Sequence, residues 1–340
     1  MEIRHWPTGW IERAPGWDDI DRVVEMCNAR SQKLYGENQA TRDDVRTWWT
    51  SPRFDLATDA RLVLDVEGDV AGIVEADNPG EPYATLGCSA IVHPKYEGDA
   101  ALWDWMHAWG LWRAQERVPL AAKEICVAAV TMMAAGDDAR RVALERAGFR
   151  LTRVSNHMRI DLDSPPPAAR WPHGVSVRTA NIDQDLDAIV ALYLETWRDH
   201  WGFVERPFDL VLSDWRKSIE SDGERFDPTL WFVAVEGDEV AGISLCNSHI
   251  ADDATRGYVQ GLGVRPAWRK RGIALALLHH TFAEFRQRRY AAVELDMDSE
   301  NLTGALRVYE RAGMRAVRQS VFYEKELRAG TDLATRSLAS

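Results

Sequence analysis

This chain of 340 residues is poor in cysteine, in positive charge and in long apolar runs, and each shortage closes off a class of function. Its four cysteines, Cys27, Cys88, Cys126 and Cys246, are scattered, with no Cys-x-x-Cys pair and no histidine cluster at metal-ligand spacing. That excludes a disulfide framework and a zinc site, and it reads as reduced thiols in a cytoplasmic protein that uses no metal. Lys and Arg number 41 against 53 Asp and Glu, a formal net charge of −12. A nucleic-acid partner needs a basic face, so none is expected. An acidic field draws positive ions, which suits a cationic small molecule. No apolar run approaches the ~18–20 residues that span a bilayer. Residues 1–6 also lack the basic segment and apolar core of a signal peptide. No membrane partner is expected. Tryptophan, by contrast, is plentiful: there are fifteen. Trp103, Trp105, Trp109 and Trp112 fall at helical spacing, which points to packing.

The stretch richest in chemical meaning is Val264-Arg265-Pro266-Ala267-Trp268-Arg269-Lys270-Arg271-Gly272-Ile273-Ala274. An apolar run, Tyr258 to Val264, ends there, and an apolar helical pattern, Leu275 to Phe285, begins. A strand thus passes through a basic, glycine-containing turn straight into a helix. The free N–H groups of the turn and the positive end of the helix dipole make a site for a pyrophosphate. Gly272 would let the backbone approach it closely. A surface turn with three solvated cations is the plain alternative. Further on, an alternating strand, Val293 to Asp298, leads into Asn301-Leu302-Thr303-Gly304-Ala305-Leu306-Arg307-Val308-Tyr309, a helix closed by Gly313.

The chain also repeats itself. Val66-Glu67-Gly68-Asp69-Val70-Ala71-Gly72-Ile73 returns as Val235-Glu236-Gly237-Asp238-Glu239-Val240-Ala241-Gly242-Ile243. Val92-His93-Pro94 returns as Val264-Arg265-Pro266. Leu144-Glu145-Arg146-Ala147-Gly148-Phe149-Arg150 returns as Tyr309-Glu310-Arg311-Ala312-Gly313-Met314-Arg315. Three ordered matches at nearly one offset indicate a tandem duplication. The organisation expected is one domain over 1–163, a proline-rich extended linker over 164–173, a second domain over 174–328 and a flexible tail over 329–340.

Strand, basic glycine turn, helix, strand and an Asn-to-Tyr helix together resemble the GCN5-related N-acetyltransferase superfamily. The tandem form with its intact copy second resembles the mycothiol synthase-like acetyltransferases. The resemblance implies an α/β (α+β) fold of two tandem domains, each a mixed, mostly antiparallel twisted sheet flanked by helices. It implies acetyl-CoA as cosubstrate, held in a wedge between two splayed parallel strands. On that resemblance Leu262, Gly263 and Val264 pair with the pantetheine arm. Arg269, Lys270, Arg271, Gly272, Ile273 and Ala274 cradle the pyrophosphate, and Asn301 hydrogen-bonds the CoA arm. Tyr309 is the general acid for the departing thiolate. Asn301 and Tyr309 stand one residue further apart than in many members. Tyr258 occupies the place of the glutamate that serves as base in mycothiol synthase-like enzymes.

The base is the least determined part. Asp296 matches a position where some members carry a glutamate base, and Asp298 shares its strand face. Asp199 and His200 follow the first helix of the second half, and a water chain is a further alternative. The function implied is transfer of an acetyl group to the primary amine of a small molecule. A non-catalytic CoA- or metabolite-binding module and a protein N-terminal or lysine acetyltransferase remain as alternatives. The two halves are expected to form an internal pseudo-dimer, hence a monomer.

The halves are unequal. Where the second has its basic turn, the first reads Val92-His93-Pro94-Lys95-Tyr96-Glu97-Gly98-Asp99-Ala100, shorter and acidic. Leu144 stands in the place of Tyr309 and Gly136 in that of Asn301. Like charge at Glu97 and Asp99 repels a diphosphate. Calorimetric titration with acetyl-CoA should therefore give one site per chain, lost when the 269–274 turn is disrupted. A second site, or binding that outlives the disruption, would show that the first half keeps a pocket of its own.

Overall fold

The computed structural model describes residues 8–221, 226–249, 253–299 and 305–336. Two compact units emerge, Met1–Val154 with Ser320–Leu333, and Ser155–Gln319 with Ala334–Ser340. The first holds β1 (Ile11–Arg13), α1 (Ile20–Tyr35), α2 (Arg42–Trp49), α3 (Leu56–Asp59), β2 (Ala60–Leu64), β3 (Val70–Glu75), β4 (Thr85–Gly87), β5 (Ser89–Val92), α4 (Ala100–Arg117), β6 (Val127–Ala134), α5 (Asp138–Arg146) and the start of β7 (Arg150–Asp161). The second holds the rest of β7, β8 (Val175–Thr179), α6 (Ile182–Trp197), α7 (Phe208–Ser221), β9 (Phe226–Glu236), β10 (Glu239–Asn247), β11 (Arg256–Val264), α8 (Ile273–Gln287), β12 (Ala292–Asp298), α9 (Ala305–Arg311) and the start of β13 (Arg315–Arg328). The order of elements in one unit repeats in the other, apart from the additional α3 and the division of one strand into β4 and β5 in the first.

In the second unit the strands run in the order β7-β12-β11-β10-β9-β8. Only β11 and β12 are parallel; the other neighbours are antiparallel. A parallel pair needs a crossover, and α8 supplies it. Alternation along the strands sorts side chains to two faces. Phe232, Cys246, Val259, Val293, Leu295 and Met297 meet Leu277, Phe282 and Phe285 of α8. Trp231, Val233, Ile243 and Leu245 meet Ile189, Leu192 and Val211 of α6 and α7. In the first unit Trp103, Trp105 and Trp109 of α4 are buried against Val63, Val74 and Val92. The tryptophan spacing is indeed a packing signal.

The units do not divide at the proline-rich segment. Ser155–Asp161 of β7 pair antiparallel with β12, and Ser320–Arg328 of β13 pair antiparallel with β6. Each half thus gives its last strand to the unit built mainly from the other half. Local pattern could not reveal this, because an alternating strand fits any partner that buries the same face. The proline-rich segment lies within the second unit, where Trp171 packs against the core and stands edge-on to His280. Nor is 329–336 a free tail. Cys126 N–H donates to Thr331 C=O (2.9 Å) in the first unit. In the second, Gly202 N–H donates to Thr335 C=O (2.8 Å).

Gly257 opens β11 where Phe285 fills the core: a Cβ there would lie 2.2 Å from the ring, which is wholly buried. Gly257→Ala should therefore destabilise the protein by about 1–3 kcal/mol, as overpacking does. Urea unfolding checks this, and an unchanged midpoint would show that Phe285 moves aside freely.

Candidate functional site

The site begins with one extra residue. Against β10, Val259 pairs with Cys246 and Gly261 with Leu245, so Gln260 bulges out of the ladder. A bulge bends its strand and sharpens the twist. On the other edge, pairing of β11 with β12 ends at Tyr258 and Glu294, although β11 continues to Val264 and β12 to Asp298. Beyond the bulge the two parallel strands part, and among the described residues the β12-facing edge of β11 has no strand partner. Such an edge is a template for an extended polar chain.

At the end of β11 the chain passes through Pro266–Trp268, one turn of 3-10 helix, into α8. Lys270 (φ 63°) and Gly272 (φ 91°) are both left-handed, and Gly272 is the N-cap. The first α-helical bond, Ala276 N–H to Gly272 C=O at 3.0 Å, leaves the first-turn N–H groups to a ligand or to water. Apart from the adjoining chain, no described atom lies within 4 Å of a Cβ built on Gly272, so the protein keeps that space open. The two arginines of the turn already have partners. Arg269 bonds Asp199 and donates through Nε to Val264 C=O (3.1 Å). Arg271 forms a fork on Glu236 at 2.6 and 3.0 Å, joined by the Trp268 indole at 2.8 Å. Those bonds, Arg271 first and Trp268 next, push the Glu236 pKa down to about 2. What the turn offers an anion is mainly backbone.

The two faces of the parted strand differ. Leu262 and Val264 pack into the core beside Ile273 and Leu277 of α8 and beside Tyr309 of α9. Burial pushes the Tyr309 phenol up to about 12, so it keeps its proton at neutral pH. Gly261 and Gly263 turn to α6: a Cβ on Gly263 would lie 2.8 Å from Thr196 Oγ1, and one on Gly261 3.6 Å from Trp197. Ile273 and Ala274 start α8, as expected of the turn. Asn301 lies outside the described residues.

On the α6 face the strands carry a polar chain. Tyr258 hydroxyl donates to Asp296 (2.8 Å). His157 Nδ1 lies 2.9 Å from Asp296, and its Nε2 lies 2.8 Å from Glu294. Arg256 reaches Glu294 at 3.3 Å, and Arg318 stands 3.1 Å from His157 Nε2. Burial alone would lower the His157 pKa, but bonds to Asp296 and Glu294 outweigh it, and the pKa is raised. Burial would raise Asp296, yet its bonds with His157 and Tyr258 leave it lowered and ionised. Burial, then Asp296, hold the Tyr258 phenol well above its ordinary value. The structure thus brings Asp296 and Tyr258 together, and Asp298 shares their strand face. Asp199 lies instead on Arg269, and His200 stacks on Trp197 at 5.0 Å. Sequence reasoning missed His157. Its signal, a histidine on an alternating strand, means nothing until the exchange of strands sets it opposite Glu294 and Asp296.

In the first unit the corresponding helix start is closed by the protein itself. Asp99 caps α4, accepting from Ala101 and Leu102 N–H, both at 2.9 Å. Glu97 bonds Lys33, and Leu144 is fully buried. A carboxylate occupies the place an anion would take.

A parallel pair split at a bulge, beside a helix start with no side-chain cap, is the framework of an acetyl-group transferase. Residues 186–314 match the Acetyltransferase (GNAT) family. The chain is 33% identical to a GCN5-related N-acetyltransferase from Sphaerobacter thermophilus, with a TM-score of 0.80 over 96% of this chain and 99% of that one. It belongs to the GCN5-related N-acetyltransferase family and is an N-acetyltransferase. A mycothiol acetyltransferase of Thermobispora bispora is 29% identical over 93% of this chain and 98% of its own length. A tandem GNAT protein from the clavulanic acid biosynthesis pathway is 15% identical, with a TM-score of 0.68 over 95% and 100% of the two chains. That last likeness is one of fold, and it extends to the tandem arrangement. Among the described residues no helix is long and apolar enough to cross a membrane.

If backbone shape holds the anion, Gly272→Val should weaken CoA binding roughly tenfold or more, since a β-branched residue resists a left-handed conformation. Arg271→Ala should weaken it less, because that guanidinium is already taken by Glu236. Dissociation constants in the reverse order would transfer the role to side-chain charge.

Proposed function

We propose that the protein transfers the acetyl group of acetyl-CoA to the primary amine of a small molecule by direct attack on the thioester. The observation that carries this is the parted strand pair with unlike chemistry on its two faces: a protonated phenol on one, an ionised carboxylate chain on the other. The pantetheine arm pairs with the free edge at Leu262, Gly263 and Val264. The pyrophosphate lies on the N–H groups of 269–274, and Asn301 supports the arm. The amine nitrogen bonds to the acetyl carbon as the C–S bond breaks. Tyr309 gives its proton to the leaving sulfur, and the amine gives one up through solvent. A raised phenol pKa does not bar this step, because the dryness that raises the phenol also raises a thiolate born beside it. Asp296 is a weak base with its lowered pKa. Its role is to attract the acceptor's ammonium and to order the water that takes the proton, with His157 and Tyr258 fixing its position. Relatives named for mycothiol support a small acceptor in place of a protein.

Tyr309→Phe should lower kcat by about 10²–10⁴-fold and leave the acetyl-CoA dissociation constant nearly intact, since the ring still packs. Unchanged turnover, with chemistry rate-limiting, would remove Tyr309 from the mechanism. The acid must be protonated to act and titrates at about 12. Activity should therefore climb as the amine loses its proton and show no fall due to Tyr309 until pH nears that value. A descending limb near pH 8–9 that vanishes in the Phe variant would contradict the environment described for this phenol.

A further inference from the structure

Beside the bulge, within the second unit, lies a cavity of about 170 Å³. Gln260 and Gly261 of β11 line it together with Tyr193 and Trp197 of α6, Trp215 of α7 and Trp231 of β9. Ser218, Ile219 and Leu245 are also in the lining, and the described lining residues include no charged side chain. The aromatic rings hold one another in place. Tyr193 stacks on Trp197 at 4.2 Å, Trp215 stands edge-on to Tyr193 at 5.0 Å, and Trp231 edge-on to Trp215 at 6.0 Å. His200 closes the stack behind Trp197. The Trp231 indole N–H is buried and has no hydrogen-bond partner among the described residues. The position of the cavity is as informative as its lining. Gly261 turns toward Trp197, on the face of the sheet that carries Tyr258 and Asp296 and opposite the one that carries Tyr309. An amine seated here approaches the parted strands from the side away from the acid.

We infer that this cavity binds the body of the acceptor, and that the acceptor is an arylalkylamine: one aromatic ring joined to a primary amine by a short chain. The inference rests on the acetyltransferase reading for the fate of the amine, though not for the binding of the ring. Size supports a single ring, since a cavity of ~150 Å³ holds one benzene. Shape supports an aromatic one, because rings presented at mixed angles offer both edges and faces to a guest quadrupole. Chemistry argues against a polyhydroxylated ring. Among the described lining residues the side-chain polar groups are those of Tyr193, Ser218 and Gln260 and the indole N–H groups of the three tryptophans. They are too few to answer a ring of hydroxyls, and each hydroxyl buried without a partner costs about 1–3 kcal/mol. Among the described residues the lining offers no carboxylate to a polyamine's second charge, which favours a single amine.

The test uses the full chain saturated with CoA, with phenethylamine, hexylamine and glucosamine as probes. Calorimetry should find phenethylamine bound most tightly and glucosamine most weakly. Trp215→Ala should weaken phenethylamine about tenfold or more, as losing a ring wall does. Ile219→Trp, which fills the cavity instead of emptying it, should do the same. In both variants the dissociation constant for acetyl-CoA should stay as in the parent chain, which also reports that they fold. Glucosamine bound as tightly as phenethylamine, or phenethylamine affinity indifferent to both variants, would overturn the inference. Thiol release from acetyl-CoA with each amine separates the two readings. Phenethylamine that binds in a Trp215-dependent way but is not acetylated upholds the cavity assignment and counts against the proposed reaction. Rapid acetylation of glucosamine in preference to phenethylamine upholds the reaction and sinks the cavity assignment.

Discussion

The ladder between β11 and β12 stops at Tyr258 and Glu294, and the site depends on that stop. Had pairing continued to Val264, the backbone groups along the edge would be satisfied within the sheet, and none would be left for a ligand. The bulge at Gln260 is the local cause. One unpaired residue turns the strand away from its parallel neighbour while its other edge stays bonded to β10. The first unit parts in the same manner without keeping the chemistry. Thr85–Gly87 pair with β6, and after Cys88 the strand pairs with β3 alone. Opening a sheet is thus a property of the fold; what lies beside the opening decides whether it can work.

At the two helix starts, the same electrostatic problem is solved in opposite ways. A helix N-terminus carries free N–H groups and partial positive charge, and something must answer both. In α4 Asp99 answers them from within the chain. In α8 the cap is Gly272, which has no side chain to offer, so the demand remains for a ligand to meet. The neighbouring arginines do not change this balance, because Asp199 and Glu236 hold them. Their carboxylates fix the shape of the turn, and the shape presents the backbone.

Much of this was legible in the sequence, and the limits of legibility have physical causes. Repeats, a proline-marked strand end and apolar periodicity are local signals, and they place β11, α8 and β12 close to where the structure has them. The 269–274 turn announces itself because glycine and cations crowd between a strand and a helix. Tyr309 comes from the resemblance of its helix to the family's, and its repeat partner Leu144, fully buried, shows that the same position can serve packing alone. The exchange of Ser155–Asp161 and Ser320–Arg328 has no local signal, because both strands alternate suitably for either sheet. With it went His157, far in sequence from Glu294 and Asp296. The bulge was equally silent: Gln260 between Val259 and Gly261 looks like any strand residue until the register on β10 is known.

The strand exchange also alters what the duplication means. The second half has the loop, the tyrosine and the parted strands, and on sequence alone it could be taken for a self-sufficient enzyme with a relic attached. Yet the strand that pairs with β12 comes from the first half, and with it comes the imidazole that lies between Glu294 and Asp296. Remove that strand and Glu294, which is 1% exposed, loses His157 and keeps Arg256, while Asp296 keeps Tyr258 alone. A buried carboxylate deprived of part of its hydrogen bonding is costly, and the edge of β12 would be bare. In the first half Asp99 fills its own helix start, but that half still contributes a strand and a histidine that fix the geometry around Glu294 and Asp296. That dependence is a physical reason for both copies to remain in one chain.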